Sequence, residues 1–166
     1  MTKMALLRLQ HNDDWKRIGG KLLTVVHDEL IAEVPMEYWK EGGEILSSCM
    51  SQAGDFLPFP ITCDVTTTLR WYGLEYPCPY DKPESLDELT ESNIKWIQYM
   101  LIESEYLLPV FPNEDGSKPI GDAAYGINGV ETDTLWDCVH NYIDTYKITT
   151  DDFIPHIFNN VIYGKI

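Results

Sequence analysis

The sequence predicts an α+β fold: a β-hairpin, a helix and a closing strand, then a small, mostly helical extension. Three observations carry that expectation. Two short runs rich in strand-favouring residues, Leu22 to Val26 and Leu30 to Val34, flank the polar triplet His27-Asp28-Glu29. A stretch of alternating character, Phe59 to Leu69, follows a helical run. Beyond Pro77, Pro79 and Pro83 the apolar residues recur mainly at helical spacing.

In chain order, Met1 to Gln10 reads as the end of a helix, with Met4 and Leu7 one turn apart and Ala5, Leu6 and Leu9 widening the apolar face. His11 to Gly20 reads as a polar connection closed by Gly19-Gly20. The two strands come next. Pro35 then opens a helix at a first-turn position, where its missing N–H costs nothing. Tyr38, Trp39, Ile45, Leu46, Cys49 and Met50 form the apolar face of that helix, and Gly54 is its stop. Gly42-Gly43 marks either a weak point or a close approach. In the third strand Ile61, Cys63 and Val65 point one way and Thr62, Asp64 and Thr66 the other. Arg70-Trp71-Tyr72-Gly73 closes the unit.

Residues 1–76 therefore form one unit, 77–84 a Pro-rich linker, and 85–166 an acidic helical extension. Ser85-Leu86-Asp87-Glu88 has capping-box spacing and predicts a helix carrying Leu89, Ile94, Ile97, Met100 and Leu101. Pro109 to Val130 reads as a loop region. Thr134 to Tyr146 is a second helix of the extension, with Leu135, Val139, Tyr142 and Tyr146 on one face. Thr150 caps a third, which ends at Gly164.

Composition excludes several classes. With 166 residues, 44% of them hydrophobic, the chain can build a real core. No apolar run approaches the ~18 residues a membrane span needs, and Met1 to Gln10 lacks the cleavage site of a signal peptide. Cys49, Cys63, Cys78 and Cys138 are widely spaced with no CxxC pair, which fits neither a zinc site nor a disulfide framework and suits a reducing cytoplasm. The net charge is −15. Residues 1–76 hold 7 Lys and Arg against 11 Asp and Glu, a net of −4; residues 77–166 hold 5 Lys against 16 acids, a net of −11. A nucleic-acid binder acting alone shows the opposite balance.

The chemistry sits in His27-Asp28-Glu29. A carboxylate held at a hairpin tip is a good ligand for a hard cation such as Mg²⁺, which takes one or two protein carboxylates plus phosphate and water oxygens. A two-metal site needs a further acid from another strand. Other polar residues read more plainly. His11 with Asp13 and Asp14 is a solvated loop, Asp64 faces solvent, His140 and His156 are surface or boundary residues, and Trp71 packs in the core.

The order helix, Leu22-Leu23-Thr24-Val25-Val26-His27-Asp28-Glu29-Leu30-Ile31-Ala32-Glu33-Val34, helix, strand, tryptophan resembles the C-terminal end of the palm of family A DNA polymerases, the class of bacterial DNA polymerase I and many phage replicases. Val26-His27-Asp28-Glu29-Leu30 is similar to the family's motif C. The resemblance covers roughly residues 1–74. It implies a partial polymerase palm in which Asp28 is a catalytic metal ligand, Glu29 the acid that supports the metal site, and His27 a residue near the primer terminus. On the residues alone, His27 reads as readily as a structural hydrogen-bonding histidine. The resemblance further implies Mg²⁺ as cofactor, DNA primer-template and dNTP as substrates, and DNA replication as the setting.

The family's other catalytic aspartate and its triphosphate-binding Lys and Arg have no match in this sequence. The expectation is a C-terminal piece of a polymerase, from a split or intron-interrupted phage gene, inactive alone and completed by an N-terminal polypeptide. The competing expectation is a non-catalytic replisome interaction protein that uses its acidic helices. The resemblance does not reach residues 85–166.

Overall fold

The computed structural model describes residues 1–71, 73–107 and 126–164. They form an α+β structure with a two-stranded antiparallel sheet and six α-helices among the described residues. The chain divides into two compact units, 1–67 and 68–166.

In the first unit, α1 (Thr2–His11) is followed by the short α2 (Asp13–Arg17). The sequence reading missed α2 inside its polar connection. The signal was present: Asn12 caps it, its side chain accepting from the Trp15 N–H at 2.9 Å. Trp15 is 5% exposed, so the connection carries a core residue. Strands β1 (Lys21–Val26) and β2 (Glu29–Glu33) form the hairpin, from Lys21 opposite Glu33 to Val26 opposite Glu29, with a bulge between Leu22 and Thr24. Pro35 leads through one 3₁₀ turn (Met36–Tyr38) into α3 (Trp39–Gln52).

An isolated hairpin is marginal in water, so this one needs a support. Leu9, Trp15, Ile18 and Cys49 make one core cluster, against which Ala32 and Val34 pack. Ala5, Leu30 and Ala53 make a second, with Leu6, Leu46 and Met50. The hairpin is thus seated through β2 on α1 and α3. Gly42-Gly43 proves to be a close approach: a Cβ on Gly42 would stand 2.8 Å from Val34 Cγ1.

The expected closing strand is corrected. Residues 61–67 belong to no sheet, and the segment's one pairing is an isolated bridge between Thr68 and Glu75. Residues 61–65 run along α3 instead. Ser47 Oγ donates to the Cys63 carbonyl at 3.0 Å, and Val65 Cγ1 lies 3.4 Å from where a Gly43 Cβ would be. An alternating pattern specifies an extended chain; a ladder also needs a partner strand.

The second unit spans residues 68–166. Arg70 binds it through Glu103 (3.3 Å), Glu105 (3.1 Å) and the Ile102 carbonyl (3.0 Å). The expected linker is anchored too, Asn93 Nδ2 donating to the Asp81 carbonyl at 2.8 Å. Helix α4 (Glu91–Glu103) is buried on every side from Trp96 to Glu103, the mark of a central helix. Its capping box is Thr90 with Asn93, not Ser85 with Glu88. Ser85 instead accepts from the Asp87 N–H, and Glu88 has φ +51°, outside a helix.

Helices α5 (Asp133–Tyr146) and α6 (Phe153–Tyr163) pack on α4. Thr150 gives α6 no side-chain cap; Asp152 is the N-cap residue, tied to Thr149. Gly164 closes α6 with φ +58°. Of the expected loop from Pro109 to Val130, residues 109–125 lie outside the described residues. Gln98 holds the following turn, accepting from the N–H groups of Asn128 and Gly129 at 3.0 Å each.

Candidate functional site

The hairpin ends in a two-residue turn. Val26 opposite Glu29 is the last pair, which leaves His27-Asp28 at the tip. His27 has φ +53°. That region is uncommon for a residue with a Cβ, although histidine is among those enriched there. The turn therefore holds its shape at some local cost, and the two carboxylates follow at once. His27, Asp28 and Glu29 are all exposed, so neither carboxylate is desolvated. Leu30, the next residue, is 8% exposed and sits in the cluster with Ala5 and Ala53. One buried side chain directly after three exposed ones fixes the tip to the body of the unit.

Asp28 and Glu29 line an open cavity of about 610 Å³. Its other walls include Thr2 and Ala5 of α1, Met50 of α3 and residues 61–66. Asp64 belongs to that wall, a third carboxylate facing the same space. The sequence reading placed Asp64 facing solvent. It is exposed, but its neighbourhood depends on how 61–66 returns past the hairpin, which strand alternation does not reveal. Among the described residues no group of three His, Cys, Asp or Glu side chains is close enough to hold a metal ion. The donor set at the tip suits a hard cation that also takes oxygens from a substrate.

The remaining residues singled out in the sequence fall away from this site. His11 Nδ1 lies 2.8 Å from the Leu7 carbonyl within its own helix; Asp13 pairs with Lys16 and Asp14 with Arg17. His140 is exposed, and His156 Nδ1 meets the Tyr142 hydroxyl at 3.0 Å. Trp71 is 53% exposed, not a core residue as expected. Burial pushes the Cys78 thiol up to about 11 and also raises Cys49, Cys63 and Cys138, so none is an activated thiolate. No described helix is long and apolar enough to cross a membrane.

The carboxylate-bearing hairpin is braced by two helices, α1 and α3. Part of the chain is similar to family A DNA polymerases. It is 34% identical over 71 residues to DNA polymerase I B, chloroplastic/mitochondrial, of Arabidopsis thaliana, a match that covers 41% of this chain and 7% of that protein. DNA polymerase I A, chloroplastic, of Oryza sativa subsp. japonica matches at the same identity and coverage. DNA polymerase I of Aquifex aeolicus (strain VF5) is 33% identical over 73 residues, covering 43% of this chain and 13% of the bacterial protein. The chain thus spans about a tenth of the length of the relatives it matches. No family model matches it, and no solved structure does.

Proposed function

We propose that this chain supplies the hairpin metal ligand of a DNA-directed DNA polymerase. Asp28 is the ligand, Glu29 supports the metal site, and His27 lies near the primer terminus. The observation that carries the reading is the similarity to DNA polymerase I over 71 residues, in a chain whose one described hairpin presents Asp28 at its tip with Glu29 next to it at the start of β2. Mg²⁺, when bound, would neutralise charge on the reacting phosphate oxygens. The protein's part is to hold the Asp28 carboxylate on a short turn, with Leu30 anchoring the strand behind it. Glu29 adds negative charge beside Asp28, which favours cation binding. Substrates are a primer-template and dNTP. The second catalytic acid and the cationic groups for the triphosphate come from another polypeptide.

Two measurements test this. The purified chain with primer-template, dNTP and Mg²⁺ should incorporate no nucleotide; incorporation would refute the need for a second polypeptide. In the enzyme reassembled with that polypeptide, Asp28→Ala should abolish incorporation and leave DNA binding largely intact. Activity that survives Asp28→Ala would remove Asp28 from the metal site.

A second reading concerns the other unit. Residues 77–166 carry a net charge of −11 and include a helical core of their own around α4. This supports a docking role toward a replication partner with a basic surface. Deleting residues 77–166 would separate the two readings: loss of partner binding with catalysis retained favours docking.

A further inference from the structure

The turn that leads toward α5 contains Asn128-Gly129, the one Asn-Gly pair in the chain. Glycine has no Cβ to shield its backbone nitrogen. That nitrogen can reach the side-chain carbonyl carbon of the asparagine before it and close a five-membered ring. Asn128 is exposed, so water has access to it. In an unfolded chain the pair is reactive.

Gln98 of α4 opposes that reactivity. It is 3% exposed and serves this turn with both ends of its amide. Its Oε1 accepts from the N–H groups of Asn128 and Gly129 at 3.0 Å each. Its Nε2 donates to Asn128 Oδ1 at 2.7 Å and to the Val130 carbonyl at 3.4 Å. Asn128 Oδ1 also accepts from the Val130 N–H at 3.0 Å. Gly129 fits closely on the helix: it has φ +71°, and a Cβ there would stand 2.5 Å from Glu91 Cγ.

These bonds act in opposite senses. The two donors on Oδ1 draw electrons from Asn128 Cγ and favour attack on it. The bond from the Gly129 N–H opposes attack, because the nitrogen must lose that proton to become a nucleophile. Gln98 Oε1 belongs to a neutral amide and does not take the proton away. Polarising Cγ only assists the reaction, whereas losing the proton is obligatory. The nitrogen must also swing toward Cγ, and the bonds to Gln98 Oε1 hold the backbone on both sides of Asn128 in place. The opposing effect therefore wins while the turn stays on Gln98.

We propose that Asn128-Gly129 is a latent deamidation site, locked by Gln98 and released when this turn lifts off α4. In the open turn the Gly129 nitrogen bonds to Asn128 Cγ and the Cγ–Nδ2 bond breaks. Ammonia leaves, carrying in net the proton that the Gly129 nitrogen gave up. Water then adds to either carbonyl of the succinimide ring. One ring opening leaves an aspartyl residue at position 128 and the other an isoaspartyl residue. The isoaspartyl form has an extra carbon in its main chain, so Gly129 no longer meets Gln98, and a buried amide is left unsatisfied. Loss of ammonia makes the record of opening permanent. The proposal is independent of the polymerase reading.

Mass spectrometric peptide mapping tests it, following the gain of one mass unit at position 128 as the full chain is incubated in mildly alkaline buffer. The native chain should convert roughly tenfold or more slowly than the same chain in urea, because at least two hydrogen bonds must open first. Gln98→Met keeps the apolar volume and removes every bond to the turn. Folded by circular dichroism, it should convert at close to the rate in urea. Hydrogen exchange of the unaltered chain gives a reading that needs no variant: the Gly129 amide should be protected by about the factor that slows deamidation. Equal rates in the native chain and in urea overturn the proposal. So does a folded Gln98→Met variant as slow as the unaltered chain, or an unprotected Gly129 amide in a chain that deamidates slowly.

Discussion

Replacing Gly42 with alanine sets two effects against each other at the base of the hairpin. Alanine inside a helix is favoured over glycine by about 1 kcal/mol. Against this, the added Cβ would stand 2.8 Å from Val34 Cγ1 and 3.1 Å from Val34 Cγ2. Val34 yields poorly. It is β-branched and stiff at χ1, and it directly follows Glu33, the last paired residue of β2. Forcing a methyl group into such a contact costs about 1–3 kcal/mol. The clash should win, with a net loss of about 1 kcal/mol.

Gly43 is the internal control. Its Cβ would meet only Val65 Cγ1, at 3.4 Å, so Gly43→Ala should keep most of the helix gain of about 1 kcal/mol. With two compact units a single melting transition is a poor measure. Native-state hydrogen exchange of the α3 amides reads this unit alone. Gly42→Ala should speed that exchange about fivefold and Gly43→Ala should slow it. If Gly42→Ala protects α3 as well as Gly43→Ala does, Val34 is not seated on the helix, and the argument that α3 fixes the base of the hairpin fails.

Three further outcomes follow from the second unit. Thr90→Ala should destabilise α4 by about 1 kcal/mol through loss of the capping box, whereas Ser85→Ala should change stability by only a few tenths; exchange at the first-turn amides of α4 checks both. Glu103→Gln should cost about 2 kcal/mol, because the buried carboxylate accepts from Arg70 Nε and, at 2.5 Å, from the Leu74 N–H; protection of the Leu74 amide is the readout. Burial pushes the Tyr142 phenol from 10.0 up to about 12, partly offset by the hydrogen bond from Asn160. The unfolded chain then loses that proton first. The stabilisation is full below about pH 10 and is lost as pH rises toward 12, so stability should fall across that interval and Tyr142→Phe should flatten the decline.

The hairpin was legible because its signal is local. Two β-branched runs and a two-residue turn leave one register that keeps Leu30 inside. The closing strand was not, because alternation cannot say whether a partner lies alongside; Ser47 and Gly43 give residues 63–65 a helix to follow instead. The capping box fell at Thr90 and not Ser85 for a related reason. Both have a suitable residue three positions on, and only Thr90 directly precedes the helix whose residues from Trp96 on are buried. Asp28 and Glu29 could be named from sequence because they adjoin a recognisable pattern. Asp64 could not be placed beside them, since the cavity they share is a property of how α1, the hairpin and residues 61–66 meet.

Electrostatics set what the hairpin requires from elsewhere. A triphosphate or a DNA backbone approaching Asp28 and Glu29 meets a third carboxylate, Asp64, in the lining of the same cavity. The arginines of this unit are already engaged: Arg8 with Asp55, Arg17 with Asp14 and Glu41. One divalent ion at Asp28 would not offset three carboxylates and would leave no net positive charge to hold the phosphates of a nucleotide. Phosphate affinity comes from Lys and Arg that release counterions on contact, and a chain of net charge −15 is poorly equipped to supply it. The proposed catalytic role therefore stands only with a basic partner that brings the substrate to the hairpin. The acidic balance of the chain, which at first argues against any work on nucleic acid, becomes a reason for that partner to bind.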